Sequence, residues 1–238
     1  TLPRQGVPER LSVPLLTALV AAVLTNVEFA GLGPGGAPGS VADLGGRLLG
    51  LGGPLAALGP TLAVAGAIAA LTYLDVSHDE AGGLRRVLLA LGTLVAFSAG
   101  GSQVGLAVGP VLPLLDDLGA ISPVVVLVGG GFGMLVGSWT GAPRMIKALA
   151  QDYSSLGPRR SIAALVPSFL IAQLAVLLGV PVSFNEIIVS AIIGSGAAVG
   201  GGDAVSARKL LLTAGAWVVS FALAFVVGYG AIFILGGL

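Results

Sequence analysis

Seven long apolar runs constrain the fold of this chain more than any other feature of its sequence. They cover approximately residues 11–31, 53–74, 87–115, 122–142, 161–180, 182–200 and 210–235. Most of them reach the roughly 20 residues that an α-helix needs to cross a bilayer. Only 9% of the 238 residues are charged, and 55% are hydrophobic. We therefore predict an all-α, polytopic membrane protein with about six to seven hydrophobic segments.

Composition also excludes several classes of function. The formal net charge is zero, so no basic surface indicates binding to nucleic acid. The chain has no cysteine, which excludes disulfides and thiolate metal sites. No serine has a plausible His or Lys partner within the apolar runs, so we do not expect an intramembrane hydrolase or any other enzyme. No metal cofactor is expected.

The distribution of basic residues predicts the orientation in the membrane. If the N-terminus is cytoplasmic and the runs alternate, only Arg47 lies outside, whereas the other ten basic residues lie inside: Arg4, Arg10, Arg85, Arg86, Arg144, Lys147, Arg159, Arg160, Arg208 and Lys209. Basic residues favour the cytoplasmic side of short loops. We expect a multi-pass protein of the cell membrane, with the N-terminus of this chain cytoplasmic and the C-terminus outside.

Two of the runs are irregular for simple membrane spans. Run 87–115 would form a helix of about 43 Å, whereas the hydrocarbon core measures about 30 Å, and Gly100-Gly101 indicates a break within it. Run 182–200 begins with "PVSFNE" and ends in glycines. Runs 161–180 and 182–200 are either two crossings or a helical hairpin that dips in from the cytoplasm.

Each expected break places a hydroxyl and an amide side chain at a helix start. Ser102 and Gln103 follow the first break, and Ser183 and Asn185 follow the second, after Pro181. A helix N-terminus offers unpaired N–H groups and partial positive charge, which suit an anion. Transporters often build substrate sites from such discontinuous helices. The alternative is that the small residues merely allow close helix packing.

Glu186 is the ionisable residue inside a late apolar run. An intramembrane carboxylate is by default a candidate functional group. The alternative is a glutamate at the membrane interface that faces water.

Three segments together resemble the inorganic phosphate transporter (PiT) family. "AFSAGGSQVGLAVGP" (96–110) resembles its A-F-x-H-G-A-N-D-V-A-N-A-x-G-P signature. "GGFGMLVGSWTGAPRMIKAL" (130–149) resembles its glycine-rich span, and "LGVPVSFNEIIVSAIIGSGAAVGG" (178–201) resembles its L-G-L-P-V-S-T-T-H element. We accordingly divide the chain into N-terminal spans with their connecting loop, 1–85, and a PiT-like repeat, 86–238, with broken helices around 100–103 and 181–186.

The resemblance implies a permease that moves inorganic phosphate by alternating access, coupled to a cation. The family's Asn-Asp corresponds to Ser102-Gln103, and its Ser-Thr-Thr-His to Ser183-Phe184-Asn185-Glu186. Phosphate would then bind Ser102, Gln103, Ser183 and Asn185. Gln103 replaces the family's cation-binding aspartate, while Glu186 adds a carboxylate that can carry a proton. We therefore predict coupling through Gln103 and Glu186, with H⁺ favoured over Na⁺.

The sequence holds one copy of each motif, whereas the family has two inverted repeats. The chain thus resembles the second half, and we expect the first half to be missing from this sequence or supplied by a partner subunit. Two rival functions remain. One is a degenerate, non-transporting repeat that acts as a scaffold, and the other is a permease for another small oxyanion such as sulfate.

Overall fold

The computed structural model describes residues 8–29, 31–109, 112, 122–147, 157–180, 182–200 and 207–235. Within these ranges eight α-helices and one two-stranded ladder form. In chain order the elements are α1 (Glu9–Thr25), β1 (Glu28–Phe29), β2 (Gly39–Ser40), α2 (Val41–Leu48), α3 (Leu55–His78), α4 (Glu80–Val108), α5 (Pro123–Lys147), α6 (Pro158–Leu177), α7 (Phe184–Gly200) and α8 (Ala207–Leu235). A short 3-10 turn at Pro34–Gly36 lies between the antiparallel strands.

Each of the seven apolar runs contains one helix, which confirms the predicted all-α membrane fold. Five helices among the described residues are long and apolar enough to span a bilayer by length and composition: α3, α4, α5, α6 and α8. Helices α1 and α7 have 17 residues each, or about 25 Å at 1.5 Å per residue. They are shorter than the average hydrocarbon thickness.

Helix α2 is a local addition between the first two spans. Ser40 caps its N-terminus: the backbone N–H of Asp43 donates to Ser40 Oγ at 3.1 Å, and the backbone N–H of Ser40 donates to Asp43 Oδ2 at 3.0 Å. This reciprocal pair is a capping box. At the other end Gly50 adopts φ +64°, and the N–H of Leu51 donates to the carbonyl of Gly46 at 2.9 Å. Both ends of α2 are therefore satisfied within the chain.

One apolar core joins five of the helices. Its buried members are Val13 and Val20 of α1, Val76 of α3, Leu84, Val87, Leu91 and Val95 of α4, Ile162, Val166, Phe169 and Ala172 of α6, and Phe184 of α7. Phe169 is fully buried. Because α6 contributes a whole face to this core, it is the central helix of the bundle.

Polar contacts reinforce the packing of α1 on α3. Thr17 Oγ1 donates to Thr72 Oγ1 at 3.1 Å, and both side chains are buried. Near the other end of the pair, Asn26 Nδ2 donates to Thr61 Oγ1 at 2.9 Å. Hydrogen bonds between membrane helices contribute about 0.6 kcal/mol on average, so these two contacts fix register more than they add stability.

Helix α4 differs from the expectation of a break at Gly100-Gly101. It continues without interruption from Glu80 to Val108, a length of 29 residues. Glycine in a helix costs only about 1 kcal/mol relative to alanine, and the next proline, Pro110, lies beyond the end of the helix. Since the helical hydrogen bonds outweigh that cost, the half-helix expected to start at Ser102 does not form.

Helices α5 and α8 lie at the outside of the described bundle. Large apolar side chains on both are exposed, among them Phe132 and Trp139 of α5 and Phe221, Phe225 and Phe233 of α8. At Gly130 of α5, by contrast, the Val108 side chain of α4 lies within 2.8 Å of where a Cβ would stand. Helix α5 therefore meets α4 through its glycines, and its other faces remain open.

Candidate functional site

A tight turn between α6 and α7 presents the start of α7. Gly179 adopts φ +67°, a left-handed conformation that favours glycine. The N–H of Val180 donates to the carbonyl of Ala175 at 2.8 Å, and the N–H of Gly179 donates to that of Val176 at 3.1 Å. These two bonds form a Schellman motif, which ends a helix cleanly. The expected interruption before residue 184 is therefore a turn between two packed helices.

Phe184 anchors the start of α7 in the apolar core. Its side chain is 5% exposed, whereas the neighbouring Ser183, Asn185 and Glu186 are exposed. The three predicted site residues of this segment thus flank one buried aromatic ring. Burial of Phe184 holds the helix start in place while its polar neighbours remain accessible to a ligand.

The side chains at this helix start do not cap it. Ser183 and Glu186 have the spacing of a capping box. In the described part of the chain, however, neither side chain makes a hydrogen bond. The backbone carbonyl of Ser183 accepts one from the N–H of Ile187 at 3.2 Å. The first N–H groups of a helix have no partner within the helix. Together with the Ser183 hydroxyl they form a group of hydrogen-bond donors at the start of α7.

The second predicted group lies within α4. Gln103 is half-buried. The side chain of Ser102 is not among those that the structure describes. Among the described side chains no hydrogen bond or ion pair connects Gln103 with Ser183, Asn185 or Glu186. Because α4 is continuous, its residues 102–103 offer side chains but no free helix N-terminus. The two predicted groups therefore differ in chemistry, and no hydrogen bond or ion pair among the described side chains joins them.

A hydrogen bond that sequence reasoning missed does connect the helices that carry these groups. Gln173 Nε2 of α6 donates to Ser98 Oγ of α4 at 2.6 Å. The available signal was a lone amide in the apolar run 161–180, four residues before α6 ends. It was overlooked because Gln173 belongs to none of the recognised motifs.

Charged residues gather at the opposite end of the bundle. Arg159, at the start of α6, pairs with Glu9 at the start of α1 and, at 3.3 Å, with Glu80 at the start of α4. Arg159 and Glu80 border a cleft of about 650 Å³, lined also by Gly157 and Arg160. The starts of α1, α4 and α6 therefore share one end, as the alternating arrangement of spans requires.

The described residues offer no metal centre. Within the described ranges, no three His, Cys, Asp or Glu side chains come together as a group that could hold a metal ion.

Comparison with known proteins decides the family. The profile of the phosphate transporter family matches residues 13–228, which is most of the chain. The chain belongs to the phosphate transporter family. Two segments that resemble the family in sequence, 96–110 and 178–201, accordingly lie on α4 and around the α6–α7 turn. No solved structure matches the chain.

Individual members of the phosphate transporter family show moderate similarity. The chain is 31% identical over 135 residues to "Inorganic phosphate transporter 2-1, chloroplastic" of Arabidopsis thaliana, covering 53% of this chain and 23% of that protein. It is 30% identical over 108 residues to "Sodium-dependent phosphate transporter 1" of Homo sapiens, covering 42% and 16%. It is 26% identical over 167 residues to a "Probable low-affinity inorganic phosphate transporter" of Mycobacterium tuberculosis, covering 65% and 39%. The chain thus matches less than half of the length of each of these relatives.

Proposed function

We propose that the chain forms part of a membrane permease for inorganic phosphate. Family membership and the printed activities of the relatives support this substrate. The observation that carries the proposal is the start of α7, where no described residue hydrogen-bonds the Ser183 hydroxyl and the first N–H groups have no partner within the helix. Phosphate supplies oxygens that accept such bonds, and its charge is favoured by the helix dipole.

Within this proposal Ser183 and Asn185 hold phosphate from α7, and Ser102 and Gln103 approach it from α4. Ser183 and Asn185 are exposed and lie on either side of the buried Phe184. Gln103 is half-buried on a continuous helix, so it would bind through its side-chain amide rather than through backbone N–H groups. Phosphate then bridges α4 and α7, whose described site side chains share no hydrogen bond, and its binding would draw the two helices together.

We further propose that transport proceeds by alternating access and is coupled to a cation. Glu186 lies exposed in the first turn of α7, beside the proposed phosphate ligands. A carboxylate there can carry a proton together with the anion, whereas Gln103 offers an oxygen ligand without charge. We therefore propose H⁺ as the coupling ion through Glu186, with Na⁺ coordinated by Gln103 as the alternative.

The exposed faces of α5 and α8 support a role for a partner in the membrane. Both helices present large apolar side chains along their described length, and the chain matches only 16–39% of the length of the three relatives described above. We propose that the complete transporter supplies a second half, from a longer chain or a partner subunit, and that lipid covers the remainder.

Uptake of radiolabelled phosphate into proteoliposomes tests this function. The wild-type protein, with its partner half where one exists, should take up phosphate above the level of empty liposomes, and Asn185→Ala should reduce that uptake. Uptake of labelled phosphate that sulfate abolishes at a lower concentration than unlabelled phosphate does would assign another oxyanion. No uptake at all would contradict the permease.

A non-transporting scaffold is the second candidate, and one observation favours it. Helix α4 remains unbroken at Gly100-Gly101, and no described contact joins its site residues to those of α7. If the chain only supports a fold, phosphate should not bind to it. Equilibrium binding of labelled phosphate to the purified protein separates this case from a permease with a slow transport step.

Imposed ion gradients test the coupling. A proton gradient should drive phosphate uptake by the wild-type protein, and Glu186→Gln should abolish that response because it removes the titratable group. Sodium-driven uptake that persists in Glu186→Gln would refute coupling through Glu186 and leave Gln103 as the cation ligand.

Labelling of introduced cysteines tests the proposed orientation, since the natural chain has none. A cysteine near Asp116 should react with an impermeant reagent from outside, and one at Arg159 should react only from the cytoplasmic side. Labelling of both from outside would refute a cytoplasmic N-terminus for this chain.

A further inference from the structure

The hydrogen bond from Gln173 to Ser98 links two helices in the middle of the bundle. The bond measures 2.6 Å between Gln173 Nε2 and Ser98 Oγ, and it connects residues 75 positions apart in the sequence. Both side chains are half-buried. A second polar contact between α4 and α6 is the ion pair of Arg159 with Glu80, at the far end where both helices start.

The position of this bond relates it to both halves of the candidate site. Ser98 precedes Ser102 by four residues, so the two lie one turn apart on the same face of α4. Gln173 likewise precedes Leu177, the last residue of α6, by four residues. The Schellman turn at Gly179 then leads directly to Ser183. The contact therefore lies one helical turn, about 6 Å along the axis, from Ser102 on α4 and from the end of α6, whose turn carries Ser183.

Packing alone does not account for an amide at this position. The neighbours of Gln173 in the sequence are apolar, and the adjoining interface is formed by Val95, Phe169 and Ala172. Apolar contacts of this kind have little directionality, so they allow one helix to rotate or slide against the other. An amide in an apolar span carries a desolvation cost unless it is hydrogen-bonded. The bond to Ser98 offsets that cost, and it fixes the rotation of α6 relative to α4.

We propose that Gln173 is a positioning residue for the anion site. By holding Ser98 it sets the distance and rotation between α4 and the α6–α7 turn, so that the side chains at 102–103 and at 183–185 face the same ion. Gln173 itself does not touch phosphate. This inference rests on the proposed function, because it assigns the residue a role in phosphate affinity.

Uptake kinetics of four variants and one control test the role. Gln173→Leu and Ser98→Ala should each raise the KM for phosphate roughly three- to eighteenfold, the range that one interhelical hydrogen bond between membrane helices spans. The maximal rate should change much less. The double variant should be no worse than either single variant, because both remove the same bond. Ser98→Thr keeps the hydroxyl and should retain a KM near that of the wild type.

Thr72→Val is the matched control. It removes another interhelical hydrogen bond between side chains, the 3.1 Å bond between Thr17 and Thr72, from helices that carry no residue of the candidate site. Its KM should equal that of the wild type. A rise in KM for Thr72→Val as large as that for Gln173→Leu would show general loosening of the bundle and overturn the positioning role.

Two outcomes separate this inference from the proposed function. If the wild-type protein transports phosphate and Gln173→Leu has the same KM, the inference is overturned while the permease stands. If the wild-type protein transports nothing, the positioning role is tested by spin labels at Gly105 and Leu178, both exposed. Their distance distribution should broaden in Gln173→Leu, and an unchanged distribution would overturn the inference.

Discussion

The starts of α2 and α7 have the same spacing of residues and opposite structures. Ser40 and Asp43 begin α2, and Ser183 and Glu186 begin α7, so both sequences read serine, two residues, then an acid. This pattern is typical of a capping box. In α2 the box forms, with three hydrogen bonds between Ser40 and Asp43. In α7, among the described residues, the Ser183 hydroxyl and the Glu186 carboxylate make none.

The difference follows from the surroundings of each serine. Ser40 is 4% exposed and closes a small local structure with β1 and β2, so its hydroxyl has to find a partner inside the chain. Ser183 is exposed, and the residue that α7 buries is Phe184. A buried cap stabilises its own helix, whereas an open helix start leaves its donors for a ligand. Ser40 is therefore a structural residue, whereas Ser183 is a candidate ligand of phosphate.

The largest expected effect is on phosphate affinity after Ser183→Ala. Loss of one donor to a buried phosphate oxygen should weaken binding by about 1–3 kcal/mol, which equilibrium binding of labelled phosphate measures. The matched control is Ser40→Ala, which should lower the free energy of unfolding by about 1 kcal/mol through loss of the cap and leave phosphate affinity unchanged. If Ser183→Ala lowers stability as Ser40→Ala does and leaves affinity unchanged, the two serines are both caps.

The glycines that end α2 and α6 provide a second matched pair. Gly50 and Gly179 have φ of +64° and +67° and no atom within 4 Å of an added Cβ, so alanine at either position meets backbone strain of about 1–2 kcal/mol and no steric clash. Both variants should melt at lower temperature in detergent. Only Gly179→Ala should also raise the KM for phosphate, because its turn carries Ser183. Equal KM values in the two variants would mean that the α6–α7 turn does not position the phosphate site.

Gly100→Ala should stabilise the protein, whereas alanine at Gly50 or Gly179 should destabilise it. Because α4 is helical there and an added Cβ meets no atom within 4 Å, alanine should raise the free energy of unfolding by up to about 1 kcal/mol. Thermal denaturation in detergent measures this change. A decrease in stability would mean that α4 breaks at Gly100-Gly101 and starts a second open helix end, like that of α7.

The smallest expected effect is the response of α2 to acid. The hydrogen bond from Ser40 lowers the pKa of the Asp43 carboxyl below its ordinary value of 3.8. A carboxyl whose pKa is lowered by folding stabilises the folded state above its unfolded pKa, and this contribution is lost as the pH falls through the folded pKa. The protection of the α2 amides from exchange, relative to their intrinsic rates at each pH, should therefore decrease below about pH 4. Asp43→Asn should show no such acid step, and a step that persists in that variant would assign it to another group.

Much of the candidate site could be placed from the sequence, but not its geometry. The resemblance placed Ser183, Asn185 and Glu186 after an interruption, and the structure has a turn there. The same reasoning predicted a break at Gly100-Gly101 and missed Gln173. Glycines alone weaken a helix by an amount that its hydrogen bonds exceed, whereas the turn at Gly179 adds a left-handed residue and two Schellman bonds.

The sequence by itself determined the membrane class, the position of each span and the family, because hydrophobic length and family motifs are properties of contiguous residues. Only the tertiary structure decided which polar side chains are satisfied within the protein. Two serines followed by an acid at the same spacing differ because Ser40 is buried within a strand pair, whereas Ser183 is exposed beside a buried phenylalanine. The bond between Ser98 and Gln173 likewise depends on how α4 lies against α6. Such contacts arise between residues far apart in the chain, so local pattern does not specify them.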